Sequence, residues 1–302
     1  MQLQAIMKKI LVFDSFYNLL ISEKVKLKIE KIILIIGMIS FIVHLALIYL
    51  KRYGLLNLFE TSNFFDNPIA AIYTPFSFIL IYEVYLLIFY LPRSITTYIT
   101  KQYEIITLIV IRRIFKDLSN LELSSNWFEI KNDIAFTYDI ITALLLFFLI
   151  YLFSYLRDNL DRLNLANPLE SPQIQQFIMV KKIMASALIP IFIGIGLFTF
   201  GGWVTSSVPS NISAALKDVN SLFFDEFFAV LIIVDVLLLL VSFFYTDQFH
   251  KVIRNSGFII STILIRMSFT VEGFINNILI IASIVFGLGI LWIHNKFAKN
   301  LR

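Results

Sequence analysis

Residues 32–50 read IILIIGMISFIVHLALIYL, a run without one acidic or basic residue other than His44. A helix rises about 1.5 Å per residue, so about 20 apolar residues match the hydrocarbon core of a bilayer. In lipid a single segment must satisfy its own backbone polar groups, which makes helix the state of such a run. Five more stretches read the same way: 76–91 with an apolar lead-in from Ile69, 134–156, 183–205, 227–245 and 274–293. The expectation is an all-α, polytopic transmembrane bundle with six long spans.

Composition agrees. The chain is 59% hydrophobic and 15% charged, with a mean hydropathy of +0.83. A soluble domain carries roughly a quarter charged residues, because a water-facing ball needs a polar shell. The excess apolar surface must face lipid, and the 31 Phe and 13 Tyr suit both lipid contact and headgroup belts. There is no Cys, hence no disulfide framework, thiolate nucleophile or Cys-based metal site. The net charge of +4 reads as topology and lipid headgroup contact, not as a nucleic-acid footprint. The apolar piece after Lys8 and Lys9 stops at Asp14, too short for a secretory signal.

Two further apolar segments, 105–111 (IITLIVI) and 258–265 (FIISTILI), are too short to span alone and end at Arg112 and Arg266. They read as half-helical or interfacial pieces, with eight spans as the alternative if both cross. Laid over each other, 105–115 and 259–269 match Ile105 with Ile259, Ile111 with Ile265, Arg112 with Arg266 and Phe115 with Phe269. A similar separation carries Lys31 to Lys182 and Glu83 to Asp235. The pattern reads as a tandem internal repeat. It divides the chain into a cytoplasmic amphipathic segment 1–31, repeats 32–156 and 183–295, a polar connection 157–182 and a basic tail 296–302. Short apolar pieces at matching places in two repeats are a pointer to a transport site, the other reading being helices lying flat in the interface.

The lysine-rich start places the N-terminus in the cytoplasm, and Lys296, Lys299 and Arg302 place the C-terminus there too. Six spans make the repeats inverted; eight make them parallel and return the basic connection 157–182 to the inside.

Ionisable groups within spans cost about 2.5–3.5 kcal/mol each near the centre on insertion scales. Glu83 and Asp235 therefore stand out as cation or proton sites, against a purely structural role as buried, paired carboxylates. Asp139 lies close enough to a span end to reach the interface. His44 is either a proton shuttle or a packing donor. Arg93, Arg112 and Arg266, with Lys101, Arg113, Lys116 and Arg254, are candidate charge partners, or else snorkel to headgroups.

Enzyme signatures are missing: there is no H-E-x-x-H, G-x-S-x-G or G-x-x-x-x-G-K. Tyr138-Asp139 resembles one motif of intramembrane aspartyl proteases, but the partner Gly-x-Gly-Asp is not present. The reading is therefore a membrane channel or transporter for a small ion, a cation or proton, with neither catalytic residues nor cofactor or metal ligands. Its partners would be the bilayer, the ion and a homo-oligomer or membrane complex, with no nucleic acid. The alternative is a non-transporting scaffold or anchor subunit.

Overall fold

Ser22 starts the first long helix: its backbone is extended and its hydroxyl accepts from the Val25 N–H, a side-chain cap for α1 (Glu23–Arg52). The helix stops where Gly54 adopts a left-handed φ of 71°. The computed structural model describes residues 17–54, 68–118, 131–164, 172–207, 212–245, 248–271 and 273–300. A 3₁₀ turn, Pro68–Ile72, leads into α2 (Tyr73–Tyr90). Pro75 sits in the first turn of α2, where its missing N–H costs nothing. Ser94 caps α3 (Ile95–Leu118) by accepting from the Thr97 N–H at 3.1 Å. Then follow α4 (Lys131–Asn164), α5 (Pro172–Ser207), α6 (Ile212–Tyr245), α7 (Phe249–Ser268) and α8 (Phe274–Asn300). No strand occurs among the described residues.

Five helical stretches are long and apolar enough to cross a membrane: Tyr17–Arg52, Asp133–Asp158, Ile174–Thr199, Glu226–Tyr245 and Phe274–Asn300. The expected span 76–91 is a shorter apolar helix, Thr74–Tyr90. The outer faces confirm lipid as the solvent. Met38, Leu144, Phe148 and Phe198 are 62%, 71%, 60% and 85% exposed, while Thr100, Thr107, Ser261 and Ser268 are buried. That distribution is the reverse of a water-soluble fold, and it suits a hydrocarbon surround that cannot solvate hydroxyls. The chain is a multi-pass membrane protein.

The two short apolar segments are not separate pieces. Residues 105–111 are the middle of the 24-residue α3, and 258–265 the middle of the 20-residue α7. They look short in sequence because both helices are polar along one side, and neighbouring helices cover that side. Neither lies flat at a surface: Ile105, Val110, Phe258 and Ile265 all belong to the core. The connection 157–182 also shortens, since α4 continues to Asn164 and α5 begins at Pro172. Likewise Lys296 and Lys299 belong to α8 and not to a tail. Of the proposed N-terminal amphipathic helix, 10–16 lie outside the described residues, while 17–20 form a helical turn against which the Tyr85 hydroxyl donates to the Leu20 carbonyl.

Paired contacts at opposite ends fix how the helices run. Helices α1 and α2 are antiparallel: Lys26 meets Phe89 at one end and His44 bonds Thr74 at the other. In α2 and α3, Tyr90 meets Lys101 while Phe76 stacks on Phe115. In α3 and α4, Thr100 accepts from Arg157 while Arg113 pairs with Asp139. The same holds for α5 and α6 through Phe177–Tyr245 and Phe192–Phe227. Helices α7 and α8 meet through Arg254–His294 and Asn276–Ser268. Across the middle, α4 and α8 run parallel, with Asn277 on Asp139 at one end and Asn295 on the Leu156 carbonyl at the other.

Odd-numbered helices thus begin, and even-numbered helices finish, at one shared end. Lys26, Arg93, Lys101, Arg157 and Lys181 gather there, joined by Arg254 and Lys299. Facing them are Glu23, Glu30, Glu104 and Asp158.

Gly287 of α8 makes room for the Tyr103 side chain of α3. A Cβ there would lie 1.9 Å from the Tyr103 hydroxyl, which bonds Ser261 on α7 at 2.7 Å. Gly287→Ala should expel that hydroxyl and lower stability by about 1–3 kcal/mol, the usual cost of overpacking. Thermal unfolding in detergent checks this, and Tyr103→Phe in the same background should recover part of the loss.

Candidate functional site

Asp235 lies on α6 where the apolar outer face turns inward, and its side chain is fully buried. Four donors from two other helices converge on it. Tyr98 of α3 donates to Oδ1 at 2.9 Å. Arg266 of α7 places Nη2 2.8 Å from Oδ2. Gln102 Nε2 and the Thr262 hydroxyl lie 3.4 Å from the same oxygen. Arg266 reaches the Gln102 oxygen at 3.4 Å as well, while its Nη1 is buried with no hydrogen-bond partner among the described residues. Spacing explains the convergence: Tyr98 and Gln102 are one turn apart on α3, and Thr262 and Arg266 one turn apart on α7. Three of these contacts fall on Oδ2 and one on Oδ1, and the Thr262 hydroxyl, with its one proton, also lies 2.9 Å from the Ile259 carbonyl. Protein donors therefore enclose the carboxylate without filling every acceptor position. A cation or proton arriving at Asp235 would have to displace Arg266.

Glu83, on α2, is buried too, and the opposing charge that reaches it is Arg112 of α3. Among the described residues no hydrogen bond or ion pair joins Glu83 to Asp235; Asp235 is ion-paired with Arg266, whereas Arg112 acts on Glu83 through space only. Arg112 follows Glu83 by 29 residues and Arg266 follows Asp235 by 31.

Asp139 does not reach the interface. It is buried, and Arg113 clamps it, Nη2 lying 2.8 Å from Oδ1 while Nε bonds Oδ2. The same guanidinium bonds the Asn276 oxygen at 2.9 Å and the Asn277 oxygen, while Asn277 Nδ2 returns to Asp139 at 2.7 Å. One arginine therefore ties α3, α4 and α8. His44 is buried on α1 and bonds the Thr74 hydroxyl of α2. Arg93 stands apart from the interior, paired with Glu23 at the basic end. Lys116 carries no side-chain description.

The structure thus places the four candidates on four helices and brings none of them together. The partners that complete the sites — Tyr98, Gln102, Thr262, Asn276 and Asn277 — are neutral, and their sequence signal is helical spacing of polar residues inside otherwise apolar stretches. Among the described residues, no three His, Asp or Glu side chains group to hold a metal ion.

Compared with protein families, curated proteins and solved structures, the chain matches none. Fold and interior define its class, an α-helical multi-pass membrane protein with guanidinium–carboxylate pairs inside the bundle.

Proposed function

We propose that the protein is a membrane channel or transporter for a small ion, a cation or proton, with Glu83 and Asp235 on the pathway. The observation that carries it is the pair of buried carboxylates at corresponding places in the two halves of the chain, Asp235 ion-paired with Arg266 and Glu83 within the field of Arg112. Packing alone does not call for such pairs, because apolar residues of similar volume are often as stable or more so. Ionisable groups at membrane depth are a functional hypothesis by default. In this reading a proton or cation binds Asp235 by releasing Arg266, which keeps the Gln102 oxygen as an acceptor.

The same reading takes all eight helices as crossings. Helices α3 and α7 run the length of α4 and α8, which qualify as spans themselves. Parity agrees: α4 and α8 point the same way, as eight passes require and six do not. The repeats are then parallel, each of four helices, and both termini share the basic end, which the positive-inside tendency assigns to the cytoplasm.

Ion flux into liposomes containing the purified protein tests the pathway. Glu83→Gln and Asp235→Asn keep size and remove the charge, although the amide turns one acceptor oxygen into a donor. In protein that elutes from size exclusion as wild type does, each should lower flux at least about tenfold, the weight of a 1.4 kcal/mol interaction. Wild-type flux in both variants sinks the pathway assignment.

A second reading has one observation in its favour: Asp235 is enclosed by direct protein contacts. A non-transporting scaffold or anchor would need only that. It expects no flux under any gradient or potential, and a partner that copurifies with the protein.

A further inference from the structure

The α2–α3 turn at the basic end holds cations that its own carboxylates leave partly uncompensated. Lys26 and Arg93 share one acid, Glu23, at 3.2 and 3.1 Å. Lys101 has Glu104 at 2.6 Å. Lys181 of α5 has no carboxylate among the described residues. It is 3% exposed, donates to the Arg93 backbone carbonyl, and lies 4.9 Å from the Phe177 ring centroid. A neutral carbonyl and a ring face do not cancel an ammonium charge, so a protonated Lys181 adds positive charge to this end that no described carboxylate offsets.

Depth says which kind. Phe89 and Tyr90 close the apolar run of α2 and stand among these cations. Lys26 Nζ is 5.2 Å from the Phe89 centroid, and Arg93 Cζ is 5.7 Å from it. Lys101 Nζ is 5.2 Å from the Tyr90 centroid. Aromatic rings at the end of a membrane helix mark the headgroup level, where the available anion is a lipid phosphate. Arginine suits that group because its planar fork bonds two phosphate oxygens at once.

We propose that the α2–α3 turn, with Lys26 and Lys181 from the flanking helices, binds the phosphate headgroup of an anionic phospholipid. The site is independent of the ion pathway. It lies at the end of the bundle, on groups that neither Glu83 nor Asp235 touches.

The test is native mass spectrometry of delipidated protein offered phosphatidylglycerol and phosphatidylcholine together. Wild type should retain phosphatidylglycerol preferentially. Lys181→Gln and Lys101→Gln should each reduce that preference about fivefold, the weight of one cation near a charged surface. Lys299→Gln, at the same end but on α8, should leave it unchanged. Lys101 is part-exposed, so its variant carries the test even if Lys181→Gln does not fold. Equal retention of the two lipids by wild type overturns the proposal, and so does an equal loss in Lys299→Gln, which would mean a diffuse surface charge. Displacement of the lipid by inorganic phosphate at equal concentration assigns the cations to free phosphate and overturns the lipid assignment.

Discussion

Arg266→Met is expected to lower stability by about 3–5 kcal/mol, the cost of stranding a buried charge whose partner has been removed. Methionine fills a comparable volume, so the loss comes from electrostatics more than from a cavity. Asp235 stays fully buried, keeping Tyr98, Gln102 and Thr262 as donors but no opposing charge. Water cannot take over the role of the guanidinium at a side chain with no exposure. The paired variant Asp235→Leu with Arg266→Met should regain most of the loss, because removing both charges removes the desolvation cost of both. Thermal unfolding of the purified protein in detergent reads both values. A single variant as stable as wild type would mean that the pair carries no structural weight. The double variant also separates the two functional readings: a scaffold keeps its partner, whereas an ion pathway through Asp235 closes.

The second large effect falls on Arg113. Its guanidinium bonds Asp139 through two nitrogens and also Asn276 and Asn277, so three helices meet on one side chain. Arg113→Met should again cost about 3–5 kcal/mol, leaving Asp139 with Asn277 Nδ2. Arg113→Lys is the more informative change. It keeps the charge, but an ammonium is a single point that cannot span the four oxygens a planar fork reaches. Most of the Arg113→Met loss should therefore persist in Arg113→Lys. Full rescue by lysine would show that charge alone, not geometry, holds α3 to α4 and α8.

Much of this architecture was legible in the sequence because lipid-facing helices advertise themselves. The runs 32–50, 134–156, 183–205, 227–245 and 274–293 lie within helices that qualify as spans. Helices α3 and α7 were not legible as whole helices. Each carries hydroxyls, amides and an arginine on the side that neighbours cover, and a search for continuous apolar length registers only the apolar middle. Burial by other helices, not by lipid, makes those polar residues tolerable, and only three-dimensional packing shows which side is covered. The interior acids were visible for a related reason: a carboxylate inside an apolar run is conspicuous. Their partners were harder. Arg266 and Arg112 could be suspected from charge, but Tyr98, Gln102 and Thr262 are ordinary residues until α3, α6 and α7 are brought together. Asp139 was misjudged because its distance from a span end suggested solvent, whereas Arg113 and the two asparagines enclose it. Arg93 looked like an interior partner on charge alone, yet the short turn after α2 holds it at the exposed end of the bundle, paired with Glu23.

The antiparallel pairing of α3 with α4 bears on how the nascent chain enters the bilayer. If α3 crosses as proposed, emerging alone it would present Arg112, Arg113 and Gln102 to hydrocarbon, and an arginine carries a penalty of up to about 2.5–3.5 kcal/mol, largest at mid-membrane. Its relief, Asp139 on α4, is synthesised 26 residues later, so α3 gains a favourable path into lipid only once α4 has followed it. On that reading α3 should wait beside the insertion machinery and enter as a hairpin with α4, whereas Arg266 of α7 finds its acid, Asp235, already made on α6.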